Sequence, residues 1–360
     1  MKEVTYFQNL DSLRFIAFFF VFLSHLGPQF HFDQTDSFSF LNVVFQHGRT
    51  AVSFFFVLSG FLISYLLIKE RFATKSLNIK AFFVKRIFRI LPLYFIVCII
   101  GFMVIPIIFG ETTNESVLQH LFLGANFNQI QLASSGIENS MILAPLWSIA
   151  IEEQFYLVWP FLLLSLKPKR YIYLFVFILL VSYSFIYLNR HSYIVLMLHT
   201  VSVLPEFMLG AIVAYWTYSY AKPIQIIQEL PKWFLIVAYI VSISLILYLP
   251  PPYSYIANPL IFTFIMLEQV FAKNSLFKVS AIKGLDYLGK ISYGSYMYHS
   301  IVIFVVMYFF TQWDLFSWNS LLFKLLFIIL SFVLTIGLSY LSFNTIEKYC
   351  LNLRNRILNK

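Results

Sequence analysis

The chain has 360 residues, of which 60% are hydrophobic and 20% aromatic, while only 11% are charged. A water-soluble domain carries about 25% charged residues, so this composition cannot coat a globule of this size and excludes a soluble enzyme. The formal net charge of +9 follows the membrane topology described below and does not point to a nucleic-acid partner.

What remains is an all-α, polytopic transmembrane helical bundle of about ten helices, because only helices or closed barrels satisfy their backbone inside lipid. Spans are predicted at 10–28, 50–68, 82–109, 142–165, 171–188, 194–217, 233–250, 255–272, 289–310 and 320–343. The first reads as a retained helix and not a cleaved signal, since Asp11 and Arg14 stand at its start and no small-residue cleavage site follows. The stretch 233–272 also admits one helix broken at Pro250-Pro251-Pro252. The longest polar stretch is about 110–141. With no long soluble segment left over, 1–360 reads as a single integral-membrane domain without an appended soluble one. Cys98 lies in an apolar run and Cys350 in the basic tail; neither has metal-ligand spacing, and no disulfide or metal is expected.

Charge placement orients the chain. Of the 25 basic residues, Arg49 and Arg190 lie in connections opposite the termini and Arg14 and Lys324 within spans; all the others fall at the termini or in connections on the same side as the termini. The 110–141 stretch carries Glu111, Glu115 and Glu138 with no Lys or Arg. By the positive-inside rule both termini of this multi-pass protein are cytoplasmic, and the number of spans is even.

Ionisable groups within apolar spans are costly and ask for a reason. In the first span Arg14 precedes His25 by eleven residues, about 16 Å along a helix axis, and Asp11 can pair with Arg14 one turn away. His25 reads equally as a chemical group or as a cap on a backbone carbonyl. In the second span Ser59-Gly60 marks a place where helices approach closely, which favours packing. Arg86 and Arg89 open the third span on one face; paired guanidinium groups suit phosphate, although ordinary cytoplasmic anchoring accounts for them too.

In the fourth span Ser148, Glu152 and Tyr156 are four apart and form one polar stripe, with Glu152 deep enough to be either functional or an interhelical staple. Near the outer end of the sixth, His191 and His199 look incidental, and deep Glu206 suits an internal hydrogen-bond network. Glu268 and Lys324, near helix ends, can snorkel. The ninth span carries Ser292-Tyr293-Gly294-Ser295-Tyr296-Met297-Tyr298-His299, which puts a second His about 15 Å into the bundle.

Taken in order, these stretches resemble the acyltransferase 3 family of membrane-bound O-acyltransferases. Asn9-Leu10-Asp11-Ser12-Leu13-Arg14 followed by His25 is similar to the family's opening Arg-x10-His signature. Phe55-Phe56-Val57-Leu58-Ser59-Gly60-Phe61 resembles its second-helix motif, and Arg86-x-x-Arg89 with Leu91-Pro92-Leu93-Tyr94 its third. Leu146-Trp147-Ser148 through Trp159-Pro160 resembles the fourth, Ser292 through His299 the late motif, and Glu347 the closing Glu. The resemblance covers nearly the whole chain. It departs at Ser53, where the family often has an acidic residue, and at Val203 and Leu204, where many members have an Arg ahead of Glu206-Phe207. Both departures bear on acceptor specificity.

The resemblance implies transfer of an acyl group, commonly acetyl, from acetyl-CoA or another acyl-CoA in the cytoplasm to a hydroxyl of a lipid-linked or cell-surface glycan. His25 would then be the general base, with Glu152 orienting His25 or the acceptor. Arg86 and Arg89, with Arg14, would hold the nucleotide phosphates, and Ser148, Tyr156, Tyr293 and His299 would line the acceptor side. Two other classes compete on the residues alone. A transporter or flippase for a glycolipid or polysaccharide precursor would show inverted repeats with paired broken helices, and none is visible. A polyprenyl-phosphate-dependent glycosyltransferase would use the acidic residues of 110–141 but leaves the Arg-x10-His spacing without a role.

Overall fold

A computed structural model of the chain describes residues 9–27, 47–313 and 321–358, together with Phe7 and Phe45. Pro28 and Ser320, at the edges of two predicted spans, and Lys2 and Lys360, used in the charge count, lie outside the described residues. Among the described residues every regular element is helical, as lipid demands of long apolar runs whose backbone must bond within itself.

The predicted segments all fall on helices: α1 (Leu10–Leu26), α2 (Gly48–Thr74) and α3 (Ile79–Phe109), then α4 (Val117–Leu121), α5 (Ala125–Ser134) and α6 (Leu146–Ser165). There follow α7 (Tyr171–Leu188), α8 (Tyr193–Leu198), α9 (Thr200–Ser219), α10 (Lys222–Gln228), α11 (Lys232–Tyr248) and α12 (Ser254–Phe271). The last are α13 (Leu285–Gln312), α14 (Leu321–Ser342) and α15 (Lys348–Leu358). Seven of the described helices are long and apolar enough to cross a membrane, or eight if the bent pair α10 and α11, at 91°, counts as one span. That is fewer than the ten expected. At 17 residues α1 is short for a crossing, and α6 carries Glu152 and Glu153 in its apolar stretch.

Two details differ from the sequence reading. The segment 194–217 is two helices, α8 and α9, because His199 adopts an extended conformation between them and its side chain accepts from Val201 N at 3.2 Å. The stretch 233–272 is two helices parted at the prolines, in keeping with the separate spans 233–250 and 255–272. Glu268 does not snorkel: it is fully buried, accepting from Tyr239 Oη at 2.6 Å, Gln269 Nε2 at 2.7 Å and Ser275 Oγ. A carboxylate with three donors is satisfied where it stands and has no need to reach water.

Outward-facing side chains identify the solvent. Leu180 on α7, Ile240 on α11 and Ile329 on α14 are 62%, 59% and 58% exposed. Helices with this much apolar surface turned outward belong against acyl chains.

The chain divides into two compact units of interleaved segments. One comprises Met1–Ala17, Arg49–Leu77 and Glu152–Lys290. Its centre is an aromatic stack in which Phe155 lies on Phe207 at 4.2 Å and Trp159 on Phe175 at 5.3 Å. There α2 and α9 touch backbone to backbone at two glycines. A Cβ on Gly60 would lie 2.2 Å from Phe207 O, and one on Gly210 would lie 2.2 Å from Val57 O, so the close approach expected at Ser59-Gly60 is present.

The other unit comprises Phe18–Gly48, Asn78–Ile151 and Ile291–Lys360. In it α15 packs along α3, and Phe22 meets Phe332 at 5.4 Å. The polar stretch after α3 is folded and not a plain loop. Ser116 Oγ caps α4, Tyr94 Oη donates to His120 O at 2.9 Å, and Glu115 accepts from Ser140 N at 3.2 Å. The second Glu115 oxygen faces His120 Nε2 at 3.7 Å with both side chains fully buried. Burial pushes the Glu115 carboxyl up to about 7, against the smaller opposing effect of the Ser140 N–H, and pushes the His120 imidazole down. Loss of hydration disfavours the charged form of each.

Candidate active site

His25 lies in the last turn of α1. Its Nδ1 donates to Val21 O, one turn back, at 2.9 Å. That bond places the hydrogen of the neutral ring on Nδ1, an assignment from geometry, and leaves Nε2 as the basic nitrogen. The ring of His299 stands edge-on to it, with centroids 4.7 Å apart and planes at 80°. His299 is fully buried; its Nδ1 donates to Tyr296 O at 2.6 Å and its Nε2 lies 3.3 Å from Ser300 Oγ. Phe18 also meets the His299 ring edge-on, at 5.9 Å. Two imidazoles from opposite ends of the chain are thus held in one tautomer by backbone carbonyls of their own helices.

Ser148 joins the same group through a residue that the sequence reading quoted but did not single out. Ser148 Oγ lies 2.7 Å from Tyr296 Oη and donates to Pro145 O at 3.1 Å. Tyr296 therefore links Ser148 through its hydroxyl to His299 through its carbonyl. Its place one helical turn before His299 was the available signal.

Arg86 and Arg89 stand on α3 in the same unit. Arg89 is exposed, whereas Arg86 is half-buried, with its guanidinium 6.0 Å from the Phe82 ring. Tyr293, grouped above with the acceptor side, donates through Oη to Ile90 O at 2.7 Å, so its hydroxyl braces the turn of α3 that carries Arg89. Glu347 is buried and within electrostatic reach of Arg89. Its carboxylate approaches α13 at Gly294, where a Cβ would lie 3.1 Å away.

The remaining candidates belong to the other unit. Asp11 and Arg14 form the expected ion pair at 2.5 Å. Glu152 accepts from Ser59 Oγ at 2.5 Å, and Tyr156 Oη donates to the same Ser59 Oγ at 3.0 Å. The stripe on α6 thus meets a hydroxyl on α2, and Ser59 has a polar role besides packing. The structure also shows what stands at the two departures from the family pattern. Arg49, which the sequence reading left in a connection, pairs with Glu206 at 2.9 Å, and Ser53 donates to the same carboxylate at 3.1 Å. The Arg49 guanidinium lies 5.3 Å from the Tyr255 ring and 5.7 Å from that of Phe56. Among the described residues no group of three or more His, Cys, Asp or Glu is close enough to hold a metal ion, and both cysteines are free thiols.

Chemically, the unit containing His25 offers a half-buried imidazole with a defined basic nitrogen, and a separate pair of guanidinium groups suited to phosphate. Residues 7–342 match the model of an acyltransferase domain, that of the acyltransferase 3 family. The chain is 27% identical over 345 residues to the O-acetyltransferase OatA of Staphylococcus aureus (strain NCTC 8325 / PS 47), covering 86% of this chain and 53% of that protein. It is 27% identical over 324 residues to a protein of Staphylococcus aureus (strain COL) provisionally named as an O-acetyltransferase, covering 84% of this chain and 51% of that one. The chain therefore spans about half the length of these curated relatives. No solved structure matches it. A match over almost the entire length, with the ordered motifs on helices of an all-helical membrane protein, shows that the chain belongs to the acyltransferase 3 family.

Proposed function

We propose that this protein is a bacterial cell-membrane O-acyltransferase, with acetyl the first choice of group, moving it from cytoplasmic acyl-CoA to a hydroxyl of a lipid-linked or cell-surface glycan. The observation that carries the reading is the tautomer of His25, whose Nδ1 is committed to Val21 O. Nε2 takes the proton of the acceptor hydroxyl, the oxygen attacks the thioester carbonyl, and the departing thiolate recovers that proton from the imidazole. Arg86 and Arg89 hold the donor phosphates, Glu152 orients His25 or the acceptor, and Ser148 lies on the acceptor side. The names of the relatives support acetyl as the transferred group. The distribution of basic residues supports ten spans with both termini in the cytoplasm.

Purified protein in nanodiscs, given radiolabelled acetyl-CoA and a panel of glycan acceptors, should transfer label to a hydroxyl-bearing acceptor. Absence of transfer to every acceptor, from a protein that also fails to bind coenzyme A, would remove the reading. The donor role has its own test. Replacing Arg86 and Arg89 together with Ala should weaken coenzyme A binding by about 10²- to 10⁴-fold, since each charge-assisted contact contributes about 1.5–3 kcal/mol. A double Lys variant should regain only part of this, because Lys lacks the planar fork. Unchanged affinity in a folded double-Ala variant would return both residues to cytoplasmic anchoring.

A further inference from the structure

The terminal helix α15 reads in the sequence as a basic tail, but it packs along α3, the helix that carries Arg86 and Arg89. This packing sets Arg354 close enough to Arg89 for the two cations to repel each other. Neither has an acidic hydrogen-bond partner among the described residues. Arg354 donates through Nε and Nη2 to the neutral amide oxygen of Asn355, at 3.1 and 2.9 Å. Glu347, a buried acid, lies within electrostatic reach of Arg89.

Two guanidinium groups, Arg89 on α3 and Arg354 on α15, are thus brought near each other by the packing of their helices. Juxtaposed like charges are unfavourable, and an anion bridging them turns repulsion into charge-assisted hydrogen bonds. Arg is suited to this because its rigid fork meets two phosphate oxygens at once. The turn is also braced: Tyr293 Oη holds the carbonyl of Ile90, next to Arg89. Arg86 is half-buried, which limits the freedom it loses when a ligand arrives.

We propose that Arg354 completes, with Arg86 and Arg89, a three-guanidinium cradle for the phosphates of the acyl donor. This rests on the donor reading above and adds a residue from outside the third-helix motif. The shared chemistry is a phosphate group, and an anionic lipid headgroup is the other source of one.

The test uses the full chain in nanodiscs of phosphatidylcholine alone and of phosphatidylcholine with phosphatidylglycerol. Coenzyme A and pantetheine, which lacks the phosphates, are titrated into wild type, Arg354→Ala, Arg354→Lys and Arg356→Ala. Arg356 is exposed on the same helix and serves as the charge control. Arg354→Ala should weaken coenzyme A binding by about ten-fold in phosphatidylcholine, with Arg354→Lys intermediate and Arg356→Ala unchanged. Pantetheine should bind wild type and Arg354→Ala equally. Thermal unfolding confirms that each variant is folded, and Arg354→Lys, which keeps the charge, reports on the cradle if the Ala variant does not fold. Coenzyme A affinity in Arg354→Ala or Arg354→Lys equal to wild type would overturn the proposal while leaving the donor reading intact. An effect of Arg354→Ala seen only as weaker association with phosphatidylglycerol would overturn it in favour of a headgroup site. A wild-type protein that binds no coenzyme A would overturn both.

Discussion

Replacing His25 with Ala should reduce acyl transfer by about 10²- to 10⁴-fold, the usual contribution of a positioned general base. Coenzyme A affinity should stay near that of wild type, because the arginines of α3 are untouched. The sharper variant is His25→Gln. Gln can still donate to the carbonyl of Val21, the bond that His25 makes through Nδ1, but it cannot accept a proton at neutral pH. If His25 only caps that carbonyl, the Gln variant should keep most of its turnover. If Nε2 takes the acceptor proton, the Gln variant should be as impaired as the Ala variant. The measurement is transfer of labelled acetyl by purified protein in nanodiscs, with thermal unfolding as a control. Near-wild-type turnover in His25→Gln would end the general-base assignment and make Glu152 the leading candidate.

Arg49→Leu should destabilise the protein by about 3–5 kcal/mol, the cost of stranding one member of a buried ion pair. Glu206 is 1% exposed and bonded to Arg49 and Ser53, so removal of the guanidinium leaves its charge without a counterion in an apolar surrounding. Glu206→Leu should cost a similar amount by stranding Arg49 between Tyr255 and Phe56. The double variant Arg49→Leu/Glu206→Leu should recover much of the loss, because two apolar side chains in place of a buried pair are often neutral or stabilising. A double-mutant cycle from unfolding in detergent measures the coupling. Additive losses would show that the two residues act separately. The same double variant also tests specificity: restored stability with lost transfer to one acceptor, but not another, would tie the Arg49–Glu206–Ser53 group to acceptor choice.

Much of this molecule was legible in the sequence because bilayer physics acts locally. A run such as Tyr171–Leu188 has nowhere to place its backbone polar groups except in its own helix, so helix after helix falls where apolar length placed it. The small-residue signal at Ser59-Gly60 was legible too: Gly60 sits where α2 and α9 touch. Asp11 and Arg14 paired as one helical turn requires. The number of crossings was less legible. Short α1, acid-bearing α6 and bent α10–α11 strain any criterion of length and apolarity, and His199 breaks a segment that composition reads as continuous.

By itself, then, the sequence determined that the protein is helical and membrane-embedded, that its motifs occur in the order of its family, and that His25, Arg86, Arg89 and Glu152 are ionisable groups within or at the ends of apolar spans. Only the tertiary structure decided which of these side chains meet. It set His299 edge-on to His25, gave Glu152 the hydroxyl of Ser59, joined Ser148 to His299 through Tyr296, paired Arg49 with Glu206 and laid the basic terminal helix against α3. The physical reason is one of range. Helix formation depends on neighbours within a turn or two, whereas these contacts join residues far apart in the chain and depend on which helix faces pack together, which periodicity along a single helix does not specify.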